Sequence, residues 1–291
     1  RQLLLKQGHL LDRQAASETM SLVLKALTGV VGLVVAVALG SLMWSASNER
    51  GLVIEPFSVP PELARRGITG QVLASRLLDR LSEMGEKTVS VRAPSTYANN
   101  WNGDIKVQIP QTGVSVGELR RYLVEWLGHQ TTIGGELYQT PAGLTLAART
   151  GTAAAATQTG ASEADLDRMI EAAAESVYAT TQPYRHAIYL GQTGGAEGIR
   201  QAREALLRLT RTGDEADRMW AYAGLNVDYH DEGNFHAAIR ATDAAIAMAP
   251  LFNLAYANRA VVQSKLGHSE AAYRDNLAAE RTARSDGTRY M

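Results

Sequence analysis

Carboxylates and imidazoles in one short stretch are the side chains of this sequence best suited to metal chemistry. They are Asp228, His230, Asp231, Glu232 and His236. Zinc takes imidazole nitrogens and carboxylate oxygens as ligands, which in a helix must share one face. No spacing here puts both imidazoles and a carboxylate on one face, and Gly233 interrupts the helix. We therefore predict no metal site and no cofactor.

Other residue types that support catalysis are missing or misplaced. The stretch 191–198 (GQTGGAEG) looks like a phosphate-binding loop, but it lacks the lysine of that motif and follows a predicted helix instead of a strand. The chain has no cysteine, which excludes a thiolate nucleophile. We predict that the protein is not an enzyme, and an activity on envelope polymers is the least favoured alternative.

Length and charge limit the remaining functions. The 291 residues, 45% of them hydrophobic, suffice for two modest folded units besides a membrane anchor. A nucleic-acid surface normally brings an excess of basic residues, whereas the formal net charge is −1. We predict no nucleic-acid partner.

A repeat with a period of 34 residues organises the last part of the chain. Its first copy recurs in the second at Ala221/Ala255, Tyr222/Tyr256, Ala223/Ala257, Gly233/Gly267, Ala237/Ala271, Ala238/Ala272, Ala244/Ala278 and Ala245/Ala279. Small residues at fixed points, with a glycine between two helical stretches, are typical of stacked helix–turn–helix units. Such units form binding surfaces, so the pattern favours a binding function.

The repeats resemble the tetratricopeptide family between Tyr184 and Arg281. Seven residues stand at the characteristic positions of that family, namely Tyr222, Leu225, Tyr229, Gly233, Ala238, Ala245 and Pro250. The next unit has Arg259 and Gln263 where a large apolar residue is usual, so we expect it to be frayed or covered by a partner. A degenerate helix pair precedes both units, turning at Gly194–Gly195, and about three repeats span residues 182–285.

The resemblance implies a groove on the inner face of the first helix of each repeat, where peptides or partner helices bind. By register, the partner-binding residues are Trp220, Val227, His230, Asp231, Leu254, Asn258, Val261 and Lys265. The alternative is that Trp220 and Val227 fill the packing between repeats. Other protein subunits are the expected partners.

An uncharged stretch of 19 residues, Ala26 to Trp44, predicts a transmembrane helix over residues 21–47. At 1.5 Å per residue it approaches the roughly 30 Å of a bilayer core. The predicted anchor residues are Leu27, Val31, Val35, Leu39 and Trp44, the last at an interface. A buried core helix and a cleaved signal peptide are the alternatives, and Asp12 and Glu18 before the stretch disfavour cleavage.

Basic residues near the span predict its orientation. Arg1, Lys6, Arg13 and Lys25 precede it, and only Arg50 follows closely. Because lysine and arginine resist translocation, residues 1–20 should be cytoplasmic and the α/β domain and repeats periplasmic, with the helix in the inner membrane of a bacterium. Membrane lipid is therefore a further expected partner.

Residues 51–180 predict a small α/β sandwich-like domain, which makes the whole chain α+β. Predicted strands cover Gly51–Phe57, Lys87–Arg92 and Ile105–Ile109, and a hairpin pairs Gly134–Gln139 with Leu144–Arg149. Predicted helices begin at Thr69, at the Ser115/Glu118 capping box and at Ser162.

This order of elements is similar to the TolB-type amino-terminal α/β domain that precedes tetratricopeptide repeats in many bacterial proteins. The residues that carry the likeness are Ile54–Phe57, Gly67–Gly70 and Gly134–Leu137. No functional residue is transferred from it.

The sequence as a whole favours a membrane-anchored, non-catalytic interaction subunit that scaffolds or assembles a larger membrane complex. The alternative is a sensory or regulatory module that signals through the membrane helix to an effector upstream.

Overall fold

A computed structural model describes residues 51–99 and 130–285, together with isolated helical positions between residues 29 and 43. The chain divides into two compact units, and every element described below lies in the unit formed by Leu52–Trp101 and Thr131–Met291. Within the described ranges there are nine α-helices and one five-stranded sheet. The predicted α+β class is therefore confirmed.

The sheet has the strand order β2-β1-β3-β4-β5. Strand β1 (Leu52–Ile54) runs parallel to β2 (Tyr97–Asn99) and β3 (Thr131–Thr140), whereas β4 (Gly143–Thr150) and β5 (Ala156–Gly160) are antiparallel to their neighbours. The predicted hairpin is confirmed as β3 and β4, which turn at residues 141–142.

Helices cover one face of this sheet and supply most of its core. They are α1 (Pro61–Arg65), α2 (Gly70–Lys87) and α3 (Leu166–Thr181), the last preceded by a 3₁₀ turn at Glu163–Asp165. The predicted starts are confirmed, because the side chains of Thr69 and Ser162 accept backbone hydrogen bonds as N-caps. The largest fully buried side chains of this core are Ile54, Leu73, Leu77, Leu81, Ile133, Leu137, Leu146, Met169, Val177 and Tyr178.

The predicted strand Lys87–Arg92 is wrong. Lys87 ends α2, and the residues after it form no sheet pairs before Tyr97. Val89 and Val91, which suggested a buried alternating strand, expose 78% and 57% of their surface.

Two other strand predictions need correction. The predicted strand Gly51–Phe57 is observed only over Leu52–Ile54. Pro56 has no backbone N–H, so it cannot donate a hydrogen bond to a neighbouring strand. Strand β5 was not predicted, because its sequence ATQTG has no apolar alternation. The predicted strand Ile105–Ile109 and the helix from Ser115 lie outside the described residues.

Six further helices follow as three consecutive pairs. They are α4 (Pro183–Thr193) with α5 (Gly195–Thr212), α6 (Glu215–Asp231) with α7 (Phe235–Met248), and α8 (Asn253–Lys265) with α9 (Ser269–Ser285). Gly195, Gly233 and Gly267 turn the chain between partners with positive φ angles, as predicted for Gly233 and Gly267. Each helix packs on its neighbours in sequence, and α6 also contacts α4 and α8. We call these six helices the helical array.

Within the described residues, no helix is long and apolar enough to cross a membrane. The predicted anchor residues Leu27, Val31, Val35, Leu39 and Trp44 all fall outside the described positions. The described positions in that stretch are helical, and Val30, Leu33 and Val37 each expose more than half of their surface.

Candidate partner-binding face of the helical array

An aromatic row connects the first helices of the three pairs. The Trp220 ring lies 5.4 Å from the Tyr184 ring and 4.9 Å from the Phe252 ring, measured between centroids. Tyr184 belongs to α4, Trp220 to α6, and Phe252 immediately precedes α8. Trp220 therefore contributes to packing between helix pairs, which is the alternative considered for it from the sequence.

Val227 and Val261 stand at equivalent positions of α6 and α8, 34 residues apart, and both are half exposed, at 50% and 52%. Exposed apolar side chains in repeat register fit a surface that a partner covers. Leu254 and Asn258 are partly buried on α8, and Lys265 is exposed. We call the side of α6 and α8 that carries the two valines the candidate face.

His230 and Asp231 differ in how well they suit binding. The Nδ1 atom of His230 lies 3.1 Å from Asp231 Oδ1, and its ring lies 5.7 Å from Phe235 at the start of α7. Its Nε2 atom is buried and has no hydrogen-bond partner among the residues that the structure describes. The Asp231 side chain is largely exposed, so it is more accessible than His230 to a partner.

Asp228 and Glu232, from the group considered for metal binding, are paired with an arginine. Arg203 of α5 donates hydrogen bonds to both oxygens of Asp228 and forms an ion pair with Glu232, and these bonds raise its pKa above the ordinary value. Among the described residues, no three histidine, aspartate or glutamate side chains are grouped so that they could hold a metal ion.

The last helix pair contains an ion pair where the preceding pair has an apolar contact. Arg259 donates two hydrogen bonds to Asp275, at 2.9 and 2.7 Å, and one to Asp243 at 2.6 Å. The bonds to Asp275, foremost among several causes, raise the pKa of Arg259. Its guanidinium also lies over the Tyr256 ring. Intramolecular partners thus account for Arg259 without fraying or a bound partner.

An irregular segment, Val89–Ser95, with a bend at Val91 and Arg92, is bound along α4, and we call it the strap. The side-chain amide of Gln192 accepts from the Val89 backbone N–H at 3.0 Å and donates to its carbonyl at 2.9 Å. Gln182 forms the same reciprocal pair with Ser95. These bonds satisfy backbone groups that strand neighbours in a sheet would otherwise pair. They explain why the predicted strand Lys87–Arg92 does not form.

Arg185 inserts from α4 between the strap and the end of α2. It is 4% exposed and donates to the carbonyls of Gly85, Thr88 and Arg92 at 2.7 to 3.1 Å. The C-terminal end of α2 is the negative end of its dipole, which suits a buried guanidinium. Sequence reasoning missed Arg185, because nothing in its local pattern reveals distant carbonyl partners.

A cavity of about 250 Å³ lies between α2 and α3. It is lined by Arg76, Asp79, Arg80, Glu83, Asp167 and Ile170. Arg76 bonds to Asp167 at 3.0 Å and Arg80 to Glu83 at 2.8 Å, so four of the five charged side chains form two ion pairs and Asp79 is the fifth.

One sequence pattern bears on catalysis. Gly113, Ser115 and Gly117 have the G-x-S-x-G spacing found around nucleophilic serines, although Ser115 was assigned above to a capping box. These residues lie outside the described ranges. The motif alone does not supply the histidine and acid that a nucleophilic serine requires.

Comparisons with models of protein families, with curated proteins and with solved structures found no match to this chain.

Proposed function

We propose that this protein is a membrane-anchored, non-catalytic interaction subunit that binds another protein on the candidate face of its helical array. The observation that carries the proposal is the pair of half-exposed valines, Val227 and Val261, at equivalent positions of α6 and α8. A partner that spans both helices would cover both side chains and gain their burial, roughly 25 cal/mol per Å² of apolar surface.

We propose further that the array is a solenoid of the tetratricopeptide type. Support comes from three successive helix pairs, the 34-residue spacing and the positive φ angles of Gly233 and Gly267. The small residues Ala221, Ala238 and Ala255 are fully buried, which lets neighbouring helices approach closely. Arrays of this kind act as extended binding surfaces.

We propose that the stretch Ala26–Trp44 anchors the chain in the bacterial inner membrane, with residues 1–20 in the cytoplasm and the α/β domain and helical array in the periplasm. The uncharged sequence and the exposed apolar side chains of Val30, Leu33 and Val37 in helical backbone support the anchor. The orientation rests on the distribution of lysine and arginine around the stretch.

The test is a mild-detergent pull-down from native membranes through a carboxy-terminal tag, followed by mass spectrometry. We expect the wild-type protein to bring down a stoichiometric set of membrane subunits. The double variant Val227→Glu/Val261→Glu should lose them, because two charges would be buried against the partner. Ile199→Glu is the matched control, since Ile199 is also 50% exposed but lies on α5, and it should retain the partners.

Recovery of the wild-type protein alone would contradict this proposal and favour the sensory alternative. Equal losses in the Ile199→Glu control would mean that the valines have no specific role. Hydrolytic turnover that disappears in a Ser115→Ala variant would contradict the non-catalytic part of the proposal.

A further inference from the structure

The strap is held on α4 through its backbone and not through the side chain of Arg92. Gln192 and Gln182 bind the backbones of Val89 and Ser95, and Arg185 donates to the Arg92 carbonyl at 2.7 Å. A substitution of the Arg92 side chain leaves each of these bonds available. The side chain is therefore not needed to position the strap.

The Arg92 side chain instead reaches across to the second helix pair. Its guanidinium carbon lies 5.8 Å from the centre of the Tyr184 ring, and its Nη1 donates to Asp217 Oδ1 on α6. This bond to one oxygen is the only side-chain hydrogen bond of Arg92 within the described part of the chain. A carboxylate beside an aromatic ring is a suitable site for a planar guanidinium.

This cation site adjoins the candidate face. Asp217 lies on α6, the helix that carries Val227, and the Tyr184 ring contacts Trp220 of the same helix. Both charged side chains are partly exposed, 27% for Arg92 and 15% for Asp217, so solvent reaches the pair. A partner bound along α6 could reach the same carboxylate.

We propose that Asp217 and Tyr184 form a site for an arginine side chain of the partner, and that Arg92 occupies this site as an internal competitor. The inference rests on the proposed function, because the partner must approach the candidate face. Exchange replaces one guanidinium–carboxylate bond and one ring contact by the same two contacts, so the two guanidinium groups differ mainly in that Arg92 is tethered. Arginine is favoured over lysine because its planar group stacks on the ring.

The test uses the full chain in detergent and follows the Trp220 indole N–H by NMR, assigned with a Trp220→Phe variant. The probe is N-acetyl-arginine amide, and N-acetyl-citrulline amide, which has the same shape without the charge, is the control. We expect saturable shifts with the arginine probe in Arg92→Ala. Binding to the wild type should be about twofold weaker, because a tethered side chain at an effective concentration in the millimolar range competes with a probe of similar, millimolar affinity.

The arginine probe should cause no saturable shift in Arg92→Ala/Asp217→Asn, and the citrulline probe none in any variant. The inference is overturned if Arg92→Ala does not respond, if the double variant responds equally, or if the wild type binds as tightly as Arg92→Ala. Should thermal melting show that Arg92→Ala is unfolded, Arg92→Gln, which keeps most of the apolar stem, replaces it. A missing response with intact pull-down of partners overturns this inference alone, whereas loss of the partners themselves overturns the proposed function.

Discussion

At the level of single residues, the two 34-residue units differ by a coordinated exchange. Leu225 and Ala241 are both buried in the second helix pair, and their equivalents in the third pair are Arg259 and Asp275. The two charges meet each other, and Asp243 supplies a further oxygen. An apolar contact has therefore been replaced by an ion pair at the same register, which preserves the packing of helices.

This exchange predicts non-additive stability effects. Asp275→Ala should destabilise the protein by about 2 to 4 kcal/mol, because the largely buried guanidinium of Arg259 then keeps only Asp243 as its carboxylate partner. The double variant Arg259→Leu/Asp275→Ala restores the residue types of the preceding unit and should recover most of that loss. Urea unfolding of the wild type, Asp275→Ala, Arg259→Leu and the double variant measures the effect, and additive losses would contradict the explanation.

The buried hydroxyl of Tyr184 should make the free energy of unfolding depend on pH. Burial raises its pKa to about 12 from an ordinary value near 10. Because the folded state holds the proton more tightly, the stabilising contribution is present below pH 10 and is lost as the pH rises toward 12. Between pH 10 and pH 11 the free energy of unfolding should fall by about 1 kcal/mol more in the wild type than in Tyr184→Phe. Parallel pH profiles of the two proteins would refute this assignment.

At the level of elements, small residues determine how closely the helices pack. Ala238 of α7 is fully buried, and its carbonyl accepts hydrogen bonds from the side chains of Asn226 and Thr242, at 3.0 and 3.3 Å. A larger side chain would push against the helices around it. The same position is alanine in the next unit, at Ala272.

Ala238→Leu should therefore overpack the array and cost roughly 1 to 3 kcal/mol. Ala247→Leu on the same helix is the control, because Ala247 is exposed and the substitution adds the same number of atoms. Thermal and urea unfolding of both variants provide the measurement. An unchanged melting temperature in Ala238→Leu would count against the repeat register.

At the level of the whole folded unit, polar contacts of helix α4 join the α/β domain to the helical array, and the bond from Arg92 to Asp217 adds a contact to α6. Gln192 of α4 and Gln182, which precedes this helix, bind the strap, and Arg185 of α4 caps the end of α2. The Tyr178 hydroxyl lies between Arg185 and Thr88, at 3.3 and 3.1 Å.

Arg185→Met should weaken the contact between the α/β domain and the helical array. The substitution keeps an apolar side chain of similar length but removes the Arg185 donor from three carbonyls, of which Gly85 keeps the Thr88 N–H, at a cost on the order of 3 kcal/mol. We expect hydrogen exchange to show faster opening of the strap and the end of α2, with α7 to α9 less affected. Arg208→Met, at an exposed position of α5, is the control. Uniform acceleration throughout the unit would argue against a local joint.

Features encoded over short distances were predicted well. The N-caps at Thr69 and Ser162, the hairpin of β3 and β4, and the turns at Gly233 and Gly267 depend on residues close in sequence, and all are observed. The strand Lys87–Arg92 was predicted wrongly because alternation was its only support. Among the predicted binding residues, Val227 and Val261 are exposed in register, whereas Trp220 packs between helix pairs.

The sequence by itself determined the 34-residue period, the helix pairs and the uncharged stretch, because propensity, capping and hydrophobic periodicity are local properties. Only the tertiary structure decided that the strap lies on α4, that Arg185 bonds to three carbonyls and that Arg92 reaches Asp217. The Arg92 and Asp217 side chains are separated by 125 residues. Contacts over such distances leave no periodic signal in the chain, since each partner is an ordinary polar residue in its own surroundings.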